Sequence, residues 1–279
     1  MARWLLLVLI SLSFSSGAVV IRHDVDDSEY RVSPSEFPAL VDMPDVGHGV
    51  LIAPQWVITA AHTIPLHSKL TQVAIGGKPR DVERVVVHAG YKTLPQELID
   101  QAMASGEAML IVVFLSSTDD IALIKLVEPV VDVVPIALYK ESVQPGQVVK
   151  IVGKGATSNG AVGYDLGGPD RTQLRRAYNE VTSTFDRWFC YRFDAPPSAL
   201  PLEGTLGNGD SGGPVLVEVE AQWLLSGLAS WKVIEGHVVT AKYGRYDQIT
   251  CNVRLSHYAD WVESVMSARS TSRRLPEIE

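Results

Sequence analysis

The sequence predicts an all-β protein, either a sandwich or a barrel, because short β-branched runs alternate with turn residues along most of its length. Six such runs are residues 49–52, 56–59, 82–87, 121–126, 148–152 and 215–219. Turns containing Gly or Pro separate them, at residues 53–54, 76–79, 144–146 and 159–160. Hydrophobic residues make up 46% of the 279-residue chain, which is enough to bury a large core and excludes a disordered protein.

Residues 1–18, MARWLLLVLISLSFSSGA, are typical of a secretory signal peptide. Arg3 supplies a positive charge, an apolar run follows, and small residues precede the expected cleavage after Ala18. The apolar run is well short of the roughly 20 residues that a membrane span needs, which disfavours a membrane anchor. We therefore expect a secreted or periplasmic protein that has no membrane partner once the signal peptide is removed.

The composition disfavours several kinds of ligand. The 32 acidic and 24 basic residues give a net charge of -8, which argues against nucleic acid as the main partner. The seven histidines are scattered, so no metal site is expected, and nothing in the sequence indicates a cofactor. The two cysteines, Cys190 and Cys251, are too few for a disulfide scaffold and allow one bridge at most.

Two segments have helical character. Residues 95–109 are rich in helix formers and predict a surface helix inside a long connection. In residues 256–266 the apolar side chains recur at helical spacing, and Ser256 is a candidate N-cap. The continuous apolar run at residues 108–115 is only eight residues long, a length that favours a buried strand. Residues 267–279 form a polar tail.

Three short motifs carry side chains suited to nucleophilic catalysis. They are Thr59-Ala60-Ala61-His62, Asp119-Asp120-Ile121-Ala122-Leu123, and Gly209-Asp210-Ser211-Gly212-Gly213-Pro214. A serine hydroxyl needs a base to take its proton, and histidine suits that role near neutral pH. A carboxylate on the far ring nitrogen fixes the histidine tautomer and stabilises the imidazolium. Glycines beside the serine let backbone N–H groups approach a developing oxyanion.

The order of the motifs is stronger evidence than any one of them. A single histidine after an apolar strand is usually structural, and an aspartate at a strand start is usually a cap. The Gly-x-Ser-x-Gly pattern at residues 209–213 also occurs in α/β-hydrolases, but those enzymes order the triad Ser, acid, His. Here the order is His62, Asp120, Ser211, and a strand rather than a helix follows the serine. An esterase of the α/β-hydrolase type is therefore disfavoured.

These motifs, in this order, resemble those of the trypsin/chymotrypsin-like serine proteases. The resemblance extends over roughly residues 37–265 and includes Ser230-Trp231 and the segment around Trp261. It implies two antiparallel six-stranded β-barrels of chymotrypsin type with a C-terminal α-helix. On this division the first barrel covers residues 19–145, with an inserted loop near 94–109, and the second barrel and the helix cover residues 146–266.

The resemblance also assigns a role to each motif residue. His62 is the general base, Asp120 the orienting acid and Ser211 the nucleophile, while the N–H groups of Gly209 and Ser211 form the oxyanion hole. Asp119 is the alternative acid, but the acid of the family's motif directly precedes the isoleucine, which selects Asp120. The implied function is a secreted serine endopeptidase that acts on proteins or peptides as a monomer and is open to protein inhibitors. The alternative is a catalytically silent homologue that acts as a binding protein.

Two departures from the family concern its cysteines and its N-terminus. Cys190 and Cys251 fall in segments that flank the family's specificity pocket, so they form either an unusual bridge or two buried free thiols. Family members mature to a new Ile or Val amino group that pairs with the aspartate before the nucleophile, here Asp210. The nearest candidates are residues 19–21, at the expected signal cleavage site. Either signal peptidase creates the activating terminus, or Asp210 is satisfied in another way.

The specificity pocket can also be placed by resemblance. The residue six before the nucleophile corresponds to the pocket floor, and it is Thr205 rather than an acid, which disfavours Arg or Lys substrates. Ser230, Trp231, Lys232 and Thr250 correspond to the walls, and Ser230 is also expected to bond the buried acid. Bulk at Lys232 and Thr250 implies a shallow pocket for small apolar side chains, whereas the ammonium of Lys232 would attract an acidic one.

Overall fold

The computed structural model describes residues 19–44, 47–65, 69–156, 158–164, 173–233 and 242–268. The predicted signal peptide, residues 1–18, lies outside the described residues, as does nearly all of the predicted polar tail, from residue 269 onward. No helix in these described ranges is long and apolar enough to cross a membrane.

Strands dominate the described residues, as the β-branched runs predict. Each of the six predicted runs overlaps an observed strand, with small differences at the ends. The strands are β1 Val20–Ile21, β2 Leu40–Asp42, β3 His48–Ala53, β4 Trp56–Thr59, β5 Gln72–Ile75, β6 Lys78–Val87, β7 Ala122–Leu126, β8 Val148–Gly153, β9 Arg175–Phe185, β10 Trp188–Arg192, β11 Gly204–Thr205, β12 Pro214–Val219, β13 Gln222–Val233 and β14 Ile249–Arg254.

The strands close into two antiparallel six-stranded barrels, which confirms the predicted architecture. Within the described ranges the first barrel has the strand order β2-β3-β4-β7-β6-β5, and the second has the order β10-β14-β13-β12-β8-β9. The main hydrophobic cluster joins Val57 and Leu123 of the first barrel with Leu216 and Leu228 of the second. Because the barrels share this packed core, the loops at their junction are held at fixed positions.

The N-terminal segment packs against the second barrel, although the sequence division placed it with the first. Strand β1 pairs with β11, with Val20 opposite Thr205. Val19 and Val20 are fully buried, and Tyr30 joins the hydrophobic cluster of the second barrel. The segment that follows the expected signal cleavage site therefore lies beside the Thr205 loop.

The long insertion forms two helices, α1 Gln96–Ser105 and α2 Met109–Ser116. Helix α1 confirms the predicted surface helix, with Pro95 at its N-cap and Gly106 ending it in the left-handed region. Helix α2 shows that the predicted strand at residues 108–115 is wrong. The run is apolar on every side, so its length favoured a strand, yet residues 108, 111, 112 and 115 share one helical face.

The C-terminal helix is present, but it begins later than predicted. A 3-10 turn covers Leu255–Tyr258, and α3 covers Ala259–Ser267. Ser256 lies inside the 3-10 turn and is not the N-cap, a position that Tyr258 occupies without a side-chain cap. Leu255 and Tyr258 are buried at 3% and 2% exposure, so this packing fixes the tighter turn ahead of the α-helix.

Cys190 and Cys251 form a disulfide bond, the first of the two alternatives. They face each other directly on the paired strands β10 and β14, with a Cα–Cα distance of 4.1 Å. Both residues are only 2% exposed. The bridge joins the two strands that carry Tyr191 and Thr250, close to the predicted specificity pocket.

Candidate active site

Strands β4 and β7 bring His62 and Asp120 together. His62 lies in a 3-10 turn, Ala61–Thr63, just after β4, and Asp120 precedes β7. Because the two strands pair with Thr59 opposite Ala122, the end of β4 lies beside the start of β7. Ser211 comes from the second barrel, in the loop before β12. His62 and Asp120 thus lie together, and a hydrogen bond from the His48 N–H to the Ser211 carbonyl holds the Ser211 loop beside the first barrel.

His62 and Asp120 are joined by two hydrogen bonds. Asp120 Oδ2 lies 2.7 Å from His62 Nδ1, and Asp120 Oδ1 accepts the His62 backbone N–H at 2.9 Å. Ser230 Oγ donates to Asp120 Oδ2 at 2.5 Å, the bond expected from the sequence. With Nδ1 directed at the carboxylate, Nε2 of the ring is the nitrogen available to accept a proton.

The contact between His62 and Asp120 shifts the pKa of each group. Burial lowers the pKa of His62, but the charge and the hydrogen bond of Asp120 raise it by more, so the net direction is upward. Burial raises the pKa of Asp120, while the His62 charge and the bonds from His62 and Ser230 lower it by more. The pair therefore favours a charged carboxylate beside a basic imidazole.

The neighbouring acid, Asp119, has different partners. Its Oδ1 accepts hydrogen bonds from Arg187 Nη1 at 2.6 Å and from the Tyr258 hydroxyl at 2.7 Å. Its Oδ2 lies 3.3 Å from His88 Nδ1. These contacts tie the start of β7 to the second barrel and the C-terminal segment, so of the two adjacent aspartates it is Asp120 that contacts His62.

The loop around Ser211 is shaped by two glycines with positive φ. Gly209 has φ +92°, and a Cβ on Gly212, at φ +72°, would lie 2.4 Å from the His48 carbonyl oxygen. The His48 N–H donates to the Ser211 carbonyl at 2.7 Å and anchors the loop to β3. Within the described ranges, the N–H groups of Gly209 and Ser211 have no intramolecular acceptor, whereas those of Asp210, Gly212 and Gly213 do.

Asp210 is fully buried behind this loop and is bonded by backbone groups. Its Oδ1 accepts the Gly155 N–H and its Oδ2 accepts the Gly207 N–H, both at 2.7 Å. His48 Nε2 lies 4.0 Å from Oδ1. Burial raises the pKa of Asp210 despite these contacts. The carboxylate thus fixes the conformation of the loop that carries Ser211.

Two adjacent cavities lie at the barrel junction and share Leu115 of α2 and Ser230. One, of about 260 Å³, is lined by His62, Asp120 and Trp231 among others. The other, of about 270 Å³, contains Ser211. Its lining residues are Ala108, Ile111, Val112, Leu115, Tyr164, Gly207, Asn208, Ser211, Ser230, Lys232 and Tyr243. The side of α2 that bears residues 108, 111, 112 and 115 therefore forms one wall of the site.

The structure separates the five predicted pocket residues into two groups. Ser230 and Lys232 line the cavity with Ser211, and Trp231 lines the cavity with His62. Thr205 and Thr250 are each 1% exposed, and their hydroxyls bond each other at 2.7 Å. These two threonines lie deeper, outside the cavity lining.

Three contributors to the Ser211 cavity were missed from the sequence. Tyr164 and Tyr243 pair in an isolated antiparallel bridge outside the strands β1–β14, and no local motif identifies them. Helix α2 was detectable, because the spacing of residues 108, 111, 112 and 115 matches one helical face.

Comparison with known proteins gives a family match and several relatives of the chain. The family model described as Trypsin matches residues 28–262. Anionic trypsin of Canis lupus familiaris is 28% identical in an alignment that covers 94% of this chain and 99% of the relative. Vitamin K-dependent protein C of Rattus norvegicus is 26% identical over 254 residues, which cover 82% of this chain. The chain spans about half the length of the protein C relatives it matches.

A solved structure agrees with the fold. Neuropsin, a serine protease expressed in the limbic system of mouse brain, superposes with a TM-score of 0.62 at 18% identity, covering 85% of this chain and 98% of that chain. The family match over most of the sequence and the two six-stranded barrels lead to one conclusion: this chain belongs to the trypsin family of serine proteases.

Proposed function

We propose that this protein is an exported serine endopeptidase that cleaves protein or peptide substrates with His62, Asp120 and Ser211. The observation that carries the proposal is the double contact between His62 and Asp120, supported by the Ser230 bond to the same carboxylate. A buried carboxylate bonded to Nδ1 leaves Nε2 facing away from it, as a general base requires.

In the proposed reaction, His62 Nε2 takes the hydroxyl proton of Ser211 while Oγ attacks the carbonyl carbon of the scissile peptide bond. The resulting tetrahedral oxyanion accepts hydrogen bonds from the Gly209 and Ser211 N–H groups, which fits their lack of acceptors among the described residues. The imidazolium returns its proton to the leaving amine, so the C–N bond breaks and an acyl-enzyme remains. Water, activated by His62, then releases the acid and restores the serine.

Basic side chains fit this site poorly. Among the described residues that line the cavity with Ser211, the charged side chain is Lys232, and no carboxylate is present to pair with an Arg or Lys of the substrate. We therefore propose that cleavage after Arg or Lys is disfavoured.

Export and maturation follow from the predicted signal peptide. Cleavage after Ala18 would free the amino group of Val19, whose neighbours Val20 and Ile21 pair with Gly204 and Thr205. We propose that this terminus takes part in ordering the loop that carries Asp210. N-terminal sequencing of the secreted, active protein tests this proposal: a start at Val19 supports it, and a start well downstream of Ile21 contradicts it.

One observation favours the second candidate, a silent homologue that binds a partner: helix α2 forms a wall of both cavities at the cleft. Hydrolysis of a quenched fluorescent peptide library by the full secreted chain separates the two. An endopeptidase cleaves members of the library, and Ser211→Ala lowers the rate by at least about 10³-fold. A wild-type rate equal to that of Ser211→Ala supports the binding protein instead.

A further inference from the structure

The side chain of Lys232 crosses the cavity that contains Ser211. Lys232 lies in β13, two residues after Ser230, and lines this cavity. Its ammonium donates to the carbonyl of Leu206, which belongs to the opposite loop, and to the Tyr164 hydroxyl at 3.1 Å. The ammonium also lies 5.1 Å from the centre of the Tyr164 ring. One wall of the cavity is thus linked to the other by a charged side chain.

This crossing changes what the base of the cavity offers to a ligand. The predicted floor residue, Thr205, is 1% exposed and bonds Thr250 instead of facing the cavity. The polar side chains that line the cavity with Ser211 instead include those of Lys232 and Tyr164. An ammonium has three donors, and two of them are directed at Leu206 and Tyr164, so among the described residues one donor has no acceptor.

The surroundings strengthen the pull of Lys232 on an anion. Ile111, Val112 and Leu115 of α2 form an apolar wall facing it, and a low local dielectric strengthens interactions between charges. Asp210 attracts Lys232 electrostatically, but both of its carboxylate oxygens accept backbone N–H groups. Lys232 is open to the cavity and enclosed elsewhere, and this burial lowers its pKa to about 7. A carboxylate beside it would restore the charged form.

We propose that this cavity binds an acidic side chain, aspartate or glutamate, on the acyl side of the scissile bond, with Lys232 as its counter-charge. The inference rests on the proposed function, since it takes Ser211 as the attacking group. It names the substrate class that the sequence left open between small apolar and acidic side chains. A cavity of about 270 Å³ holds either acidic side chain, and the Tyr164 hydroxyl supplies a second polar contact.

Matched peptides test the proposal on the full secreted chain. They share one sequence and differ only at the residue before the cleaved bond: Glu, Gln, Ala or Arg. We expect kcat/KM for Glu to exceed that for Gln by at least about tenfold, because Gln has the same shape without the charge. Lys232→Met keeps the length and removes the charge, so it should bring the ratio of kcat/KM for Glu to that for Gln near one. Lys232→Arg keeps the charge and should retain the preference.

A wild-type ratio near one, or a preference that survives Lys232→Met, overturns the proposal. A thermal unfolding midpoint of Lys232→Met close to that of the wild type shows that this variant is folded. If no peptide is cleaved, the proposed endopeptidase function fails, but the proposed binding of an acidic side chain can still be tested by measuring peptide binding. Dye-labelled peptides that end in Glu or Gln are then titrated against Ser211→Ala. Tighter binding of the Glu peptide, lost on Lys232→Met, supports the pocket, and equal binding contradicts it.

Discussion

Both carboxylate oxygens of Asp120 bond to His62, one to Nδ1 at 2.7 Å and one to the backbone N–H at 2.9 Å. The first bond sets the tautomer and the second sets the position of the residue that carries the ring. A ring bonded at Nδ1 and carried by a fixed backbone loses little freedom when it acts, which is what a general base needs.

Asp120→Asn should lower kcat by roughly 10⁴-fold, because an amide at this position favours the wrong tautomer of His62. Asp119→Asn is the matched control, since Asp119 bonds Arg187 and Tyr258 rather than His62. We expect Asp119→Asn to affect thermal stability more than kcat. Steady-state kinetics and thermal unfolding of both variants check this. A larger loss of kcat in Asp119→Asn would contradict the assignment of the acid.

The pH dependence of kcat/KM should show the raised pKa of His62. Only the neutral imidazole accepts the Ser211 proton, so activity falls as the pH drops through this pKa, which lies above the ordinary value of 6.5. In Asp120→Asn the raising charge is gone while the burial remains, so the acidic limb should move to lower pH.

The profile is best measured with the Ala peptide in the Lys232→Met background, because the pKa of Lys232, at about 7, would add a second limb. If the acidic limb lies at the same pH with Asp120 and with Asp120→Asn, the Asp120 carboxylate does not raise the pKa of His62.

Replacing Cys190 and Cys251 together by alanine should lower the free energy of unfolding by roughly 4 kcal/mol, the entropy expected for cross-linking residues 61 apart in sequence. Urea unfolding of the variant and of the wild type, each with and without reductant, measures the difference. Reductant should bring the wild type close to the variant and leave the variant unchanged. Equal urea unfolding midpoints of the variant and the wild type without reductant would show that the disulfide does not stabilise the protein.

Leu115→Ala should change substrate binding, because Leu115 lines both cavities. We expect KM to rise by about three- to tenfold with little change in kcat, the pattern of lost binding common to the ground and transition states. Val113→Ala is the control on the same helix, since Val113 is 61% exposed and is not among the residues that line either cavity. Equal effects of the two substitutions would mean that α2 acts through its stability alone.

Motifs with fixed local chemistry were readable from the sequence, whereas long-range placement was not. The segments around His62, Asp120 and Ser211 carry residue types that the chemistry requires, and their resemblance to a known family implied the family and the two-barrel fold. The prediction of a strand at residues 108–115 was wrong. A run in which every residue is apolar shows no hydrophobic periodicity, so only its length could be used to choose between strand and helix. Ser256 has the side chain of an N-cap, but burial of Leu255 and Tyr258 moved the helix start.

The direction of the Lys232 side chain also lay beyond sequence reasoning. Its neighbours Ser230 and Trp231 placed it in the pocket wall, yet its target, the Leu206 carbonyl, is 26 residues away in sequence. The two cysteines left two alternatives for the same reason, because only the pairing of β10 with β14 places them opposite each other. Contacts between distant segments depend on the closed barrel and not on local pattern.

The most direct measurement is the intact mass of the secreted protein after reaction with a fluorophosphonate, followed by fragmentation to locate the modified residue. An endopeptidase with Ser211 activated by His62 should gain one phosphonyl group on Ser211, and His62→Ala should gain none on the same timescale. A protein that stays unmodified at Ser211, or that reacts equally in His62→Ala, would contradict the central claim that these residues form a working catalytic site.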